Sequence, residues 1–114
     1  MAHSVNRLSQ YMQAPIAIHW QYVKHVFRYL KGTMKHCLHI KPSVDLDITG
    51  FFYADWATNT KDRKSVARYC VFRGESLITW SSKKQRVVSR SSTNSEYRTL
   101  TDLAVEVAWI RSLL

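Results

Sequence analysis

Apolar residues recur at helical spacing near the start of the chain. They predict a helix that begins near Pro15, a residue favoured in the first turn, and stops at Gly32. The apolar stripe of this helix consists of Ile16, Trp20, Val23, Phe27 and Leu30. A short helical turn is expected before it, over residues 8–12.

The helical period stops at a connector. Residues 33–45 follow neither a helical nor an alternating pattern, and Pro42 followed by Ser43 marks the seam within them. The period of the apolar residues then changes from helical to alternating. We therefore predict two domains, 1–42 and 43–114.

Alternating apolar positions after the seam predict three antiparallel strands. They are expected over 46–56, 65–72 and 76–81, with a polar loop, 58–64, after the first. Gly74 and the residue after it suit a two-residue hairpin turn between the second and third strands. A helix, three antiparallel strands and a final helix together predict an α/β chain of the α+β type.

The first predicted strand is long and aromatic. Alternation places Phe51, Tyr53 and Asp55 on one face and leaves Phe52, Ala54 and Trp56 on the other. Nothing later in the chain offers a strand for its second edge, so the domain looks cut short. An uncovered edge of this kind favours aggregation, and we expect poor solubility or self-association.

The final helix is predicted from Ser92 to the end, and Glu96 heads its apolar stripe. The stripe continues through Leu100, Leu103, Val107, Ile110 and Leu114. A carboxylate directed into a packing interface needs a cap, a partner or a metal. The run from Thr93 to Glu96 matches the capping box, so capping and metal binding both remain open for Glu96.

Charge adds a candidate ligand class. The chain carries 17 Lys and Arg against 8 Asp and Glu, a net charge of +9 that favours polyanions as partners. Four bases cluster in a serine-rich stretch and are the predicted nucleic-acid contacts: Lys83, Lys84, Arg86 and Arg90. A solvated basic surface without a ligand is the alternative explanation.

Cellular location follows from what the sequence lacks. No apolar run approaches the roughly 18 residues that a membrane span needs, and the first residues do not resemble a signal peptide. Cys37 and Cys70 are isolated, as is usual for reduced thiols. We therefore expect an intracellular protein, cytoplasmic or nuclear, with no membrane partner.

Several motifs in one order resemble the Pol polyprotein of copia-type LTR retrotransposons. The first part of the chain, with His19-Trp20 and Arg28-Tyr29-Leu30-Lys31-Gly32-Thr33, resembles the end of the reverse transcriptase. Residues 50–114 resemble the N-terminal part of the ribonuclease H domain. The motifs that carry this second resemblance include Ala54-Asp55-Trp56-Ala57, Trp80-Ser81-Ser82-Lys83-Lys84-Gln85 and Glu96-Tyr97-Arg98.

The resemblance implies an RNase H-like fold, truncated here, whose activity is hydrolysis of the RNA strand of RNA–DNA hybrids. It also implies four acids that hold two Mg²⁺ ions about 4 Å apart. Glu96 matches the second acid, whereas Tyr53 stands at the first position and Asp55, on the same strand face, is the candidate substitute. The other two acids would lie beyond Leu114.

We therefore predict Glu96 and Asp55 as the catalytic and metal-binding candidates of an incomplete site. The two Mg²⁺ ions of the intact family site are not expected to bind here, and the chain is expected to be inactive. Its expected partners are an RNA–DNA hybrid or another nucleic acid and the rest of the Pol polyprotein. The alternative is a basic nucleic-acid-binding module that does no chemistry.

Overall fold

The computed structural model describes residues 1–58 and 60–114, which form two compact units, 1–38 and 39–114. Asn59 belongs to the predicted polar loop and lies outside the described residues. The elements are α1 (Ala2–Ser9), α2 (Ala17–Gly32), β1 (Ile48–Asp55), β2 (Val66–Arg73), β3 (Ser76–Lys84) and α3 (Ser92–Leu113). Within the described ranges, no helix is both long enough and apolar enough to span a bilayer.

The first unit consists of the helices α1 and α2. The helical turn expected over residues 8–12 is present as the end of α1 and the turn after it, where the backbone N–H groups of Tyr11 and Met12 donate to the carbonyl oxygens of Leu8 and Ser9. Helix α1 itself begins earlier than expected, at Ala2. The backbone N–H of Ile16, the N-cap of α2, donates a hydrogen bond to Nδ1 of His19 at 3.1 Å. The His19 ring in turn stacks on Tyr11 with the ring centroids 4.1 Å apart. This local arrangement starts α2 just after the predicted position at Pro15.

The second unit contains a three-stranded antiparallel sheet in the order β1-β2-β3, so the mixed α+β class is confirmed. Gly74 forms the β2–β3 turn with a φ of +56°, a conformation that favours glycine. Strand β3 was expected to end at Ser81, but it continues to Lys84. Lys83 and Lys84 therefore lie on β3, whereas Arg86 and Arg90 lie in the segment between β3 and α3.

Helix α3 packs on one face of this sheet. The core consists of Val71 on β2 with Leu103 and Ile110 on α3. Gly50 on β1 allows a close approach, because a Cβ at that position would lie 2.9 Å from the Leu103 methyl carbons. The face that carries Gly50 is therefore the face that α3 covers.

The buried side of α3 differs from the predicted apolar stripe. Its buried residues are Ser95, Thr99, Leu103 and Ile110. Glu96 and Leu100 are exposed, so the expectation that Glu96 presses against the sheet is wrong. In the first half of the helix the side that packs on the sheet carries Ser95 and Thr99, each one position before a residue of the predicted stripe. These small polar residues can be buried because they have hydrogen-bond partners there.

Candidate nucleic-acid interface

A buried polar network fixes the segment between β3 and α3. The Gln85 side-chain amide donates to the Ser95 carbonyl oxygen at 2.9 Å and to the Thr99 hydroxyl at 3.3 Å. The Ser89 hydroxyl donates to Oε1 of Gln85 at 3.0 Å, and the Gln85 backbone N–H donates to the Ser65 carbonyl oxygen at 2.8 Å. All five residues are buried. Because each buried polar group has a partner, the network holds this segment against α3 at a defined position.

Beside this network, a groove of about 410 Å³ opens between the end of β3 and α3. Several uncharged residues line it together with four cationic side chains and one carboxylate. The charged residues are Lys83, Lys84, Arg86, Arg98 and Asp102. We call these five residues the basic groove. A concave site with this excess of positive charge attracts phosphate groups, which fix the position of a nucleic acid without reading its sequence.

The predicted basic cluster is only partly assembled here. Lys83, Lys84 and Arg86 line the groove, whereas Arg90 is exposed and is not among the lining residues. Arg98 was not predicted, because it is distant in sequence and reaches the groove from α3. Lys84 also forms an ion pair with Asp62, which lowers the pKa of that carboxyl, chiefly through the hydrogen bond from Lys84.

The start of α3 is capped by Ser91. Its hydroxyl accepts a hydrogen bond from the Asn94 backbone N–H at 3.1 Å. Capping by Glu96, one of the two explanations left open for it, is therefore wrong, since the N-cap of the helix lies two residues before Thr93. Glu96 does not cap the helix, and because its side chain is exposed it needs no buried partner.

Glu96 instead faces the β1 side of the helix. It lines a small cavity of about 180 Å³ with Phe52, Tyr97 and Leu100 among its neighbours. Its charge also contributes to raising the pKa of the Tyr53 phenol on β1. The structure thus brings Glu96 towards the strand that carries the other candidate acid.

Asp55, the other candidate acid, forms an ion pair with a cationic side chain. Its carboxylate accepts a hydrogen bond from the Arg68 guanidinium at 2.8 Å. The pKa of Tyr53 is raised, first by its hydrogen bond to Asp55 and then by the charge of that carboxylate, while Arg68 opposes the shift. Tyr53 therefore stays a neutral phenol at pH 7, and a neutral phenol is a poor ligand for a hard cation.

These residues do not fit a two-metal site. Among residues 1–58 and 60–114, no group of three or more His, Cys, Asp or Glu side chains could hold a metal ion. Arg68 offsets the charge of Asp55, and the phenol of Tyr53 occupies the position beside it. Two Mg²⁺ ions close together need several carboxylates to balance their charge, so no catalytic step through such ions can be assigned to these side chains.

The chain is similar to retrovirus-related Pol polyproteins of transposons. It is 46% identical over 114 residues to the retrovirus-related Pol polyprotein from transposon RE2 of Arabidopsis thaliana, and 43% identical over 114 residues to that from transposon RE1. These alignments cover 100% of the chain and 8% of each polyprotein. An uncharacterized mitochondrial protein of the same plant is 40% identical over 109 residues, which cover 96% of the chain and 45% of that protein.

The chain therefore belongs to the family of retrovirus-related Pol polyproteins of transposons. It spans about 8% of the length of the two polyproteins it matches over its full length. No protein-family model matches it, and no solved structure is detectably similar to it.

Proposed function

We propose that residues 43–114 derive from the front of the RNase H domain of a copia-type Pol polyprotein, and that residues 1–42 derive from the end of its reverse transcriptase. The parent domain would hydrolyse the RNA strand of RNA–DNA hybrids. In this chain we propose that nucleic-acid binding is retained and hydrolysis is lost. The similarity to transposon Pol polyproteins supports the origin.

The basic groove is the observation that carries the binding proposal. It presents cations from β3, from the segment after β3 and from α3 to one concave surface. Asp102 is the one carboxylate among its lining residues, and Asp62 pairs with Lys84, so the cations still outnumber the carboxylates at this surface. Phosphates of a hybrid would neutralise these cations and release counterions from the nucleic acid, which makes the affinity depend on salt.

The loss of hydrolysis is proposed from the surroundings of Asp55. Its ion pair with Arg68 would have to break before the carboxylate could hold a divalent ion. Tyr53 contributes no negative charge at neutral pH to replace the first acid of the family. Binding of a hybrid should therefore be independent of Mg²⁺.

A salt titration of hybrid binding tests the proposal. We expect the logarithm of the affinity for a labelled RNA–DNA hybrid to fall linearly with the logarithm of salt concentration, with a slope of roughly −3 for three to four phosphate contacts. The substitution Arg98→Gln should reduce the magnitude of that slope by about 1 and weaken binding.

Arg111→Gln provides the matched control, because Arg111 is an exposed base on the same helix and is not among the groove residues. Both substitutions remove one positive charge from the chain. If Arg98→Gln and Arg111→Gln weaken binding equally, net charge alone explains the affinity and the basic groove is not the site. An affinity that stays constant from about 50 to about 200 mM salt would rule out phosphate binding altogether.

A further inference from the structure

The sheet has a second face, opposite α3, that carries exposed aromatic rings. Direct cross-strand pairing places Phe51, Cys70 and Trp80 in one row, and the next row contains Tyr53 and Arg68. Directly paired residues point to the same side of a sheet, and this side is the one opposite Gly50. We call these five residues the open face.

The rings of the open face are accessible to a ligand. Phe51, Tyr53 and Trp80 are 59%, 57% and 55% exposed. By contrast, Tyr69 lies on the other face, partly buried against the core that α3 covers. Stacking of a base requires an exposed ring, so Trp80 meets this condition and Tyr69 does not.

Their spacing suits several bases rather than one. Phe51 and Trp80 lie two strands apart, a distance of about 10 Å, with the small side chain of Cys70 between them. Tyr53 follows Phe51 at about 7 Å along β1. Aromatic side chains presented in this way on a sheet are the means by which several RNA-binding domains stack two or three bases.

The net charge of +9 favours a polyanion such as a nucleic acid over another apolar surface as the occupant. The Arg68 guanidinium lies 5.9 Å from the centre of the Tyr53 ring, within the open face, although Asp55 also pairs with it. Lys84 lies on the same side as Arg68 by its position on β3; it pairs with Asp62 and also lines the basic groove. The open face therefore adjoins a surface that is suited to phosphates.

We propose that the open face binds single-stranded nucleic acid by stacking unpaired bases on Trp80, Phe51 and Tyr53. Every base has a π-face, so such binding tolerates any sequence. This site is distinct from the basic groove and extends the proposed function, since a strand stacked here could direct its phosphates towards Lys84. Paired bases in a hybrid are stacked on each other and would not use it.

Single-strand binding by aromatic variants tests the proposal. The probes are labelled oligo(dT) and oligo(U) of about 12 nucleotides, within the site sizes of stacking proteins. Trp80→Ala should weaken binding by about 5-fold or more, because one stacked base contributes roughly that much or more. Trp80→Phe should retain most of the affinity, since a stacking ring remains.

The matched control is Trp109→Ala. Trp109 is 56% exposed, against 55% for Trp80, but it lies on α3. It should leave the affinity for both oligonucleotides unchanged. An abasic strand of the same length supplies a second readout that needs no variant, because it keeps the phosphates and lacks the bases. Wild-type protein should bind the abasic strand more weakly than Trp80→Ala binds oligo(dT), because the abasic strand loses the stacking on all three rings.

Several outcomes would overturn the proposal. One is equal affinity of the wild-type protein for the abasic strand and oligo(dT), which decides the question even if Trp80→Ala fails to fold by circular dichroism. Another is a folded Trp80→Ala variant with unchanged affinity, and a third is a Trp80→Ala variant that changes only self-association in light scattering. Hybrid binding separates the two sites: Arg98→Gln should weaken it, whereas Trp80→Ala should not.

Discussion

The polar network around Gln85 gives the sharpest test of how the basic groove is held in place. Two threonines on α3 make the test possible. Thr99 and Thr101 each donate a hydrogen bond to the carbonyl oxygen four residues earlier, at 2.9 Å in both cases. Thr99 is buried and also accepts from Gln85 at 3.3 Å, whereas Thr101 is exposed.

Replacing each threonine by valine keeps the shape of the side chain and removes the hydroxyl. In Thr99→Val the amide of Gln85 loses one of its two acceptors and keeps the Ser95 carbonyl oxygen. Removing a partner from a buried polar group costs about 1–3 kcal/mol, and the remaining bond limits the loss here to about 1–2 kcal/mol. Thr101→Val should stay within about 0.5 kcal/mol of the wild type.

Urea unfolding followed by far-ultraviolet circular dichroism measures both changes. In thermal melts a loss of about 1 kcal/mol corresponds to a fall of roughly 4–8 °C for a domain of this size. Because Gln85 holds the segment that carries Arg86, Thr99→Val should also weaken hybrid binding. If the two valine variants unfold within about 0.5 kcal/mol of each other, the network does not stabilise the groove and this reasoning is wrong.

Three further predictions concern single side chains. Asp62→Asn should release Lys84 from its ion pair, strengthen hybrid binding and steepen the salt slope by about 1; an unchanged slope would contradict this. Gly50→Ala should lower the free energy of unfolding by about 1 kcal/mol, because the added Cβ would lie 2.9 Å from the buried Leu103 side chain, and unchanged urea stability would refute it. Burial, and then the charge of Glu106, raise the pKa of the Tyr69 phenol above its ordinary value of 10.0. The stability linked to its protonation is therefore present below pH 10 and is lost as the pH rises through the folded-state pKa. The difference in absorbance at alkaline pH between wild type and Tyr69→Phe should show this raised midpoint, and a midpoint at or below 10.0 would contradict it.

The order of the elements could be predicted from the apolar pattern, because helical and alternating periods are local properties of the sequence. The hairpin turn at Gly74 and the start of α3 at Ser92 are confirmed for the same reason. The extension of β3 to Lys84 was missed, since lysines on an edge strand show no apolar alternation.

The candidate site was harder to predict because it depends on partners that are distant in sequence. Ser95 and Thr99 are buried because Gln85 satisfies the Ser95 carbonyl oxygen and the Thr99 hydroxyl, and a pattern that counts only apolar residues cannot detect this. The same limit hid the contribution of Arg98 to the groove. The pairing of Asp55 with Arg68 likewise depends on the register between β1 and β2.

The central claim is that the chain binds nucleic acid and lacks the chemistry of its parent domain. Incubation of the purified protein with an RNA–DNA hybrid labelled on the RNA strand, with Mg²⁺ or with a chelator, tests it most directly. We predict equal binding in both conditions and an intact RNA strand. Cleavage of the RNA that requires Mg²⁺ and disappears in Glu96→Gln would contradict the account.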